Sequence, residues 1–121
     1  MEKKTILCYK DLIVWQKSME LAESVYKLTR KLPKSEDWGL IAQIRRSAIS
    51  IPSNIAEGYG RETSGNYKQF LSISRGSLFE LETQISLCVK LNYIKPEDVV
   101  SIYSAIVEIS KMLTSLISKI H

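Results

Sequence analysis

The chain has 121 residues, enough for one domain built around one hydrophobic core and too few for two independent domains. Hydrophobic residues make up 45% of the chain and charged residues 25%, a balance that argues against both intrinsic disorder and membrane insertion. The formal net charge is +4, and residues 1–34 carry the whole excess, with eight Lys and Arg against four Asp and Glu. A basic surface favours polyanions such as nucleic acids, although +4 is a modest value.

The chain shows no export signal and no charge-free stretch long enough to span a membrane. Cys8 and Cys88 belong to no metal-binding spacing, so we expect both thiols to be reduced. These features predict a cytoplasmic protein in which residues 1–121 form a single domain, with residues 1–10 as an N-terminal extension.

The first predicted helix runs from about Asp11 to Leu32, and Pro33 ends it. Its last turns carry four cations, which we call the helix-one basic cluster: Lys27, Arg30, Lys31 and Lys34. The cluster could contact phosphates. The alternative, a solvated helix end that complements the helix dipole, is favoured for an isolated cluster of this kind.

The second predicted helix begins near Ser35, which has the character of an N-cap, and ends at Gly58 and Gly60. Pro52 lies inside it and cannot donate a hydrogen bond to the carbonyl of Ala48, so the helix is expected to kink there. Its apolar side faces the core through Leu40, Ile41, Ile44, Ala48, Ile51 and Ile55.

Opposite that apolar side, the second helix carries a continuous polar stripe, here called the polar ladder: Gln43, Arg46, Ser50, Ser53, Asn54 and Glu57. One hypothesis makes it a recognition surface, in which Arg45, Arg46 and Arg61 contact phosphates or acidic groups. A second makes it a solvated outer face. In a third, Glu57 reaches an arginine of an adjacent subunit and holds an oligomer in register. The residues alone leave these alternatives open.

The third predicted helix runs from about Ser64 to Asn92 and contains a glycine in its middle, Gly76, which costs about 1 kcal/mol relative to alanine. Close approach of another backbone, with Ser74 and Ser77 at the contact, is the favoured explanation. Glu80 is expected to pair with an arginine of the second helix. We predict a structural polar network made of Gln43, Ser50, Asn54, Glu57, Ser77 and Glu80.

The fourth predicted helix has Pro96 in its first turn. Its apolar residues follow a heptad pattern typical of a bundle seam: Val99, Ile102, Ile106, Ile109, Leu113, Leu116 and Ile120. Because the connections are short, successive helices should be antiparallel neighbours, which predicts an all-α, up-and-down four-helix bundle. Val100 and Val107 widen the apolar stripe beyond what one bundle needs, so we expect a homo-oligomer.

Little in the sequence supports enzyme chemistry. The one histidine, His121, is the last residue, so a catalytic serine or cysteine would have no convincing base. The glycines at positions 58 and 60 lack the strand and lysine of a phosphate-binding loop, and the glutamates match no metal-ligand spacing. We predict a non-enzymatic protein without a metal or other cofactor.

Three segments together resemble the 23S ribosomal RNA intervening-sequence protein family. They are Gln43 to Arg46, then Ser50 to Gly58 with Arg61, and Gly76 to Glu82. Trp15-Gln16 and the region from Tyr26 to Pro33 look similar as well, so the resemblance covers about residues 9–120.

The resemblance implies an antiparallel four-helix bundle that often assembles as a homopentamer. The family also includes the accessory variability determinant of diversity-generating retroelements, a basic pentameric ring that associates with a reverse transcriptase and binds nucleic acid. A reverse transcriptase is therefore an implied partner only if this chain is encoded beside such an element.

Sequence and resemblance lead to one favoured hypothesis and one alternative. The favoured hypothesis is a homo-oligomeric bundle that binds RNA or DNA phosphates, with no membrane partner, through Arg45, Arg46, Arg61, Lys27, Arg30 and Lys31. The alternative is a protein-binding scaffold or adaptor that has no nucleic-acid ligand.

Overall fold

The computed structural model describes residues 5–121, so the first four residues of the predicted N-terminal extension lie outside it. Its four α-helices are α1 (Ile13–Thr29), α2 (Leu40–Tyr59), α3 (Ser64–Lys90) and α4 (Val100–Lys119). Short 3₁₀ turns at Tyr9–Asp11, Lys34–Glu36 and Pro96–Asp98 precede α1, α2 and α4. Residues 5–121 contain no β-strand, and the prediction of an all-α fold is confirmed.

Side-chain contacts show that neighbouring helices run antiparallel. Ser47 bonds to Glu80 and Ser50 to Ser77, so a step forward along α2 matches an equal step back along α3. Two hydrogen bonds between α3 and α4 follow the same antiparallel pattern. Two ion pairs, Lys17–Glu108 and Lys31–Asp98, show that α1 and α4 are antiparallel as well. The helices therefore form the predicted up-and-down bundle.

The core lies between the four helices and is almost entirely aliphatic. Each helix contributes residues at three- and four-residue steps, which is the spacing that keeps side chains on one helical face. Cys88 is among them, and burial raises the pKa of its thiol. The largest of the fully buried side chains are Val25, Ile44, Ile51, Ile55, Leu71, Leu78, Leu81, Ile85, Val99, Ile106, Ile109 and Leu113.

Three predicted helix boundaries are wrong. α1 ends at Thr29 rather than Leu32. α2 begins at Leu40 rather than near Ser35. Ser35 lies in a 3₁₀ turn and makes no cap bond, whereas the carboxylate of Glu36 accepts from the Leu40 N–H at 3.4 Å. The first turn at Pro96 is 3₁₀, and α4 begins only at Val100.

The end of α3 shows a feature that the sequence signals only weakly. Asn92 adopts a left-handed conformation with φ of 62°, the Tyr93 N–H donates to the Cys88 carbonyl, and the Asn92 N–H donates to the Val89 carbonyl. This is a Schellman motif, which ends the helix at Lys90 and turns the chain toward α4.

Gly76 is not where two backbones meet within the chain. Outside its own stretch of helix, no atom of residues 5–121 lies within 4 Å of a Cβ placed on Gly76, so the predicted close approach at this glycine is wrong for one protomer. The close approach occurs instead at Gly58, where a Cβ would lie 2.7 Å from the Cβ of Phe70 and 3.2 Å from the Cδ1 of Tyr67. Gly58 is therefore the glycine that lets α2 and α3 pack closely.

α4 is long enough to span a membrane, although it carries Glu108 and Lys111 and is therefore not a charge-free stretch. By length and composition alone, Val100–Lys119 is apolar enough to do so. Ile102, Ile106, Ile109 and Leu113 of this helix are buried in the bundle, whereas Val100 and Val107 are exposed.

Asp98 gives the fold a predicted pH dependence. Its carboxylate accepts from the Lys95 N–H and from Lys31 Nζ, each at 3.0 Å, and these two bonds lower its pKa. A lowered pKa stabilises the folded protein above the ordinary aspartate value, and this stabilisation is lost as the pH falls through the folded pKa. We expect Asp98→Asn to lower the melting temperature at pH 7, with a difference from wild type that closes below about pH 4. Circular dichroism melts from pH 7 to pH 2 test this, and a difference independent of pH would contradict it.

Candidate nucleic-acid interface

Arg45 is held in a fixed position between α1 and α2. Its Cζ lies 4.6 Å from the centre of the Tyr26 ring, and its Nε donates to Thr29 Oγ1 at 3.0 Å. The Thr29 hydroxyl donates in turn to the Tyr26 carbonyl at 2.8 Å, which leaves its oxygen free to accept from Arg45. Because Nε carries one of the five guanidinium N–H donors, the terminal nitrogens remain for a ligand. A guanidinium fixed in this way is pre-organised for a bidentate contact with a phosphate.

A shallow groove of about 490 Å³ opens beside Arg45 and is here called the α1–α2 groove. Two arginines line it together with hydroxyl and amide side chains, and its lining contains no carboxylate. Cationic and neutral hydrogen-bonding groups without a competing acid are the chemistry that contacts a phosphodiester backbone. The lining residues are Tyr26, Ala42, Arg45, Arg46, Ile49, Ser50, Ser53 and Asn54.

Arg46 differs from its neighbour because nothing in residues 5–121 holds it. It is exposed and takes part in no hydrogen bond or ion pair among the described side chains. It lies on the outer edge of α2, where it lines both the α1–α2 groove and a second groove of about 520 Å³ between α2 and α3. Its charge is therefore available to a ligand on either side of α2.

The second groove is less suited to a phosphate because it contains Glu80. This carboxylate accepts from the Ser47 hydroxyl at 2.7 Å and has no arginine partner in the described part of the chain, so the predicted arginine pair is wrong. Gln84 also lines this groove, and its buried Oε1 has no hydrogen-bond partner among the described residues. Gln43 and Thr83 complete its polar lining.

The helix-one basic cluster is only partly free. Lys27 pairs with Glu23 at 3.4 Å, and Lys31 pairs with Asp98 at 3.0 Å. No ion pair to Arg30 occurs within residues 5–121. Surface ion pairs of this kind contribute little to stability, so a phosphate can replace the carboxylate at small cost.

Arg61 is also engaged within the chain. Its Nη2 lies 2.6 Å from Glu57 Oε1, one helical turn before it, and its Cζ lies 4.8 Å from the centre of the Phe70 ring. Glu57 therefore has an arginine partner in its own protomer. The Glu57 carboxylate thus needs no arginine from an adjacent subunit, which was the third hypothesis for the polar ladder.

Hydrogen bonds join α2 to α3 through small side chains. The Ser50 and Ser77 hydroxyls are 2.9 Å apart, and Asn54 Nδ2 donates to both the hydroxyl and the carbonyl of Ser50 at 2.8 Å. The Ser74 hydroxyl, which is fully buried, donates to the Ile51 carbonyl at 2.8 Å beside Pro52. Part of the polar ladder thus faces α3 rather than solvent, while the side chain of Gln43 makes no hydrogen bond among the described residues.

Sequence reasoning missed the two residues that position Arg45. In the sequence, Tyr26 stands out only as the start of a segment that resembles the family, and Thr29 is not singled out. A threonine three residues after a tyrosine, on the face that also carries Arg30 at the helix end, is a weak signal for such a site. Only the crossing of α1 and α2 places Arg45 against both.

No cluster of three or more His, Cys, Asp and Glu side chains able to hold a metal ion occurs within residues 5–121. The groups assembled at the α1–α2 groove are cationic, hydroxyl, amide and apolar. The two arginines and the Ser53 hydroxyl can donate to an anion, whereas both Nδ2 hydrogens of Asn54 are already donated to Ser50.

Comparison with known proteins gives one family. Residues 10–115 match the model of the 23S rRNA-intervening sequence protein family. The fold is similar to a crystal structure from Bacteroides thetaiotaomicron described as a protein with unknown function from the S23 ribosomal protein family, with a TM-score of 0.80 and 30% sequence identity. That similarity covers 87% of this chain and 98% of the Bacteroides chain. No curated protein matches the chain.

Proposed function

The chain belongs to the 23S rRNA-intervening sequence protein family, and we propose that it is a non-enzymatic, self-assembling helical bundle that binds the phosphates of RNA or DNA. The observation that carries this proposal is the α1–α2 groove, where two arginines and the exposed Ser53 hydroxyl occur without a carboxylate. The cytoplasmic location expected from the sequence is part of the proposal.

The two arginines of the groove have different roles in this proposal. Arg45, held by Tyr26 and Thr29, is the fixed anchor that takes a phosphate oxygen pair in one geometry. Arg46, which has no partner among the described residues, adds charge and adapts to the path of the backbone. Arg30 extends the basic surface at the C-terminal end of α1, and Lys27, Lys31 and Arg61 contribute after releasing their carboxylates.

Binding of this kind follows the backbone, so it should show little sequence preference and weaken as salt rises. Mobility-shift assays at low salt with one RNA and one DNA of equal length test the proposal. A shifted complex with either supports it. It fails if neither is shifted, or if charge reversal at Arg46 leaves the complex intact.

Self-assembly is supported by apolar side chains that the bundle leaves exposed on α3 and α4. Phe79, Val100 and Val107 are 49, 65 and 48% exposed, and the two valines lie on the same face of α4. The resemblance implies a homopentamer. We expect light scattering at micromolar concentration to give a mass of several chains, and a sharp mass of one chain, 13.8 kDa, would contradict this.

The same exposed apolar residues favour a second candidate, a scaffold or adaptor whose partner is another protein. The α1–α2 groove would then serve no ligand. A pull-down that recovers a single protein after nuclease treatment, together with no shift of RNA or DNA, would favour the scaffold over the nucleic-acid binder. A reverse transcriptase belongs to this alternative only if the gene lies beside a retroelement.

A further inference from the structure

Trp38 is the most exposed large apolar side chain among residues 5–121, at 96%. Tryptophan is highly buried on average in folded proteins, and its burial contributes a large share of core or interface stability. Trp15, the other tryptophan, follows this rule, because it is half-buried and packs edge-on against Tyr9. Trp38 therefore has no role in the core that would explain an aromatic residue at this position.

A local structural role is also missing. Trp38 directly precedes Gly39, the N-cap of α2, and the residue at this position often packs against the fourth residue of the helix. In α2 that residue is Gln43, and at 96% exposure Trp38 makes no such contact. The indole stands free of the bundle, with both ring faces open.

Within residues 5–121, the end of the bundle that carries Trp38 has more unpaired cations than free carboxylates, although Asp37 directly precedes the tryptophan. The α1–α2 connector and the α3–α4 connector lie at the same end of the bundle, since Tyr93 Oη donates to Glu36 Oε2 at 2.9 Å and Lys31 pairs with Asp98. Two carboxylates of this end, Glu36 and Asp98, are thus already engaged. Among the described residues, the other two carboxylates of this end are Asp37 and Glu97. Four cations of the same end have no ion pair within this part of the chain: Arg30, Lys34, Lys90 and Lys95.

We propose that Trp38 is a stacking platform for an unpaired base, so that the ligand is single-stranded RNA or DNA; this inference rests on the proposed function. An exposed indole at an end of the bundle that also carries unpaired cations is the combination with which proteins hold single strands, one side chain stacking on a base while the others contact phosphates. In a duplex the base faces are covered by their neighbours, so this platform serves only unpaired nucleotides.

The α1–α2 groove lies close enough to continue the same site. Arg45 is five residues into α2 from Leu40, a rise of about 8 Å along the helix axis. A strand whose base stacks on Trp38 can therefore pass its neighbouring phosphates along α2 to Arg45 and Arg46. No other described aromatic side chain at this end is comparably open, because Tyr93 is partly buried and hydrogen-bonded to Glu36.

The test compares one labelled oligonucleotide as a single strand and as a blunt duplex, by fluorescence anisotropy at low salt. The proteins are the full chain and its Trp38→Ala and Trp38→Phe variants. We expect wild type to prefer the single strand, and Trp38→Ala to weaken single-strand binding by about five- to a hundredfold, the range for loss of one stacked base. Trp38→Phe, which keeps an aromatic face, should retain most of the affinity, and duplex binding should be the same in all three.

A second measurement reports on the contact itself. In a Trp15→Phe variant Trp38 is the only tryptophan, and addition of the single strand should quench its fluorescence. Equal single-strand affinity of wild type and Trp38→Ala overturns the inference, and the proposed function survives if Arg46→Glu still abolishes the complex. A lower oligomeric mass for Trp38→Ala in light scattering also overturns it, because Trp38 would then be a contact between copies. Absence of any complex with wild type would overturn the proposed function as well.

Discussion

An Arg46→Glu variant should bind RNA and DNA more weakly than wild type at low salt, by on the order of tenfold or more. The substitution removes a cation from the α1–α2 groove and places a like charge beside the phosphates. The fold should be unchanged, because Arg46 is exposed and has no partner among residues 5–121. Mobility shifts and circular dichroism on the same preparation separate lost binding from lost structure.

The matched control is Lys119→Glu, an equal change in net charge at the C-terminal end of α4. If general electrostatic attraction were responsible, both variants would lose affinity alike. If the α1–α2 groove is the site, only Arg46→Glu loses it. Equal losses in the two variants would contradict a localised site.

A conservative pair of variants separates the roles of the two arginines. Arg45→Lys loses the planar fork, the hydrogen bond to Thr29 and the stacking on Tyr26 while it keeps the charge. Arg46→Lys loses little, since that guanidinium is not held. We therefore expect Arg45→Lys to weaken binding more than Arg46→Lys, and the reverse order would contradict the anchor role of Arg45.

A Gly58→Ala variant should be destabilised by about 1–3 kcal/mol. The new Cβ would lie 2.7 Å from the Cβ of Phe70 and 3.3 Å from the carbonyl oxygen of Tyr67, so α2 and α3 must move apart. Phe70 cannot relieve the overlap by rotating its ring, because the clash is with its Cβ. Urea unfolding followed by circular dichroism measures the loss.

Gly76→Ala is the matched control, with the same atom added to the next helix. It has open space and a helical backbone, so it should stabilise the protein by about 1 kcal/mol. Both variants and wild type must be compared at one protein concentration, because assembly contributes to apparent stability. A destabilised Gly76→Ala would indicate that a second copy packs on this glycine, and an unaffected Gly58→Ala would contradict the close approach of α2 and α3.

The helical architecture could be predicted because periodicity alone determines which residues of a helix can share a core. The seam of α4 and the apolar side of α2 became buried faces for this reason. Helix ends were predicted less well. They depend on which nearby group caps the free backbone, and Glu36 rather than Ser35 reaches the start of α2.

The candidate site was only partly predictable. Arg45 and Arg46 could be singled out from the sequence, but their different environments depend on how α1 crosses α2, which no spacing within α2 reveals. Glu80 illustrates the same limit. It accepts from Ser47, and Arg46, which lines the same groove, forms no ion pair with it.

The salt dependence of single-strand affinity tests the central claim most directly. Between about 50 and 200 mM salt, the logarithm of the association constant should fall linearly with the logarithm of the salt concentration. Substitution of Arg46 by glutamine should reduce that slope by about one, whereas Lys119→Gln should leave it unchanged. A slope near zero for wild type, or the same slope with and without Arg46, would contradict binding through the phosphates at the α1–α2 groove.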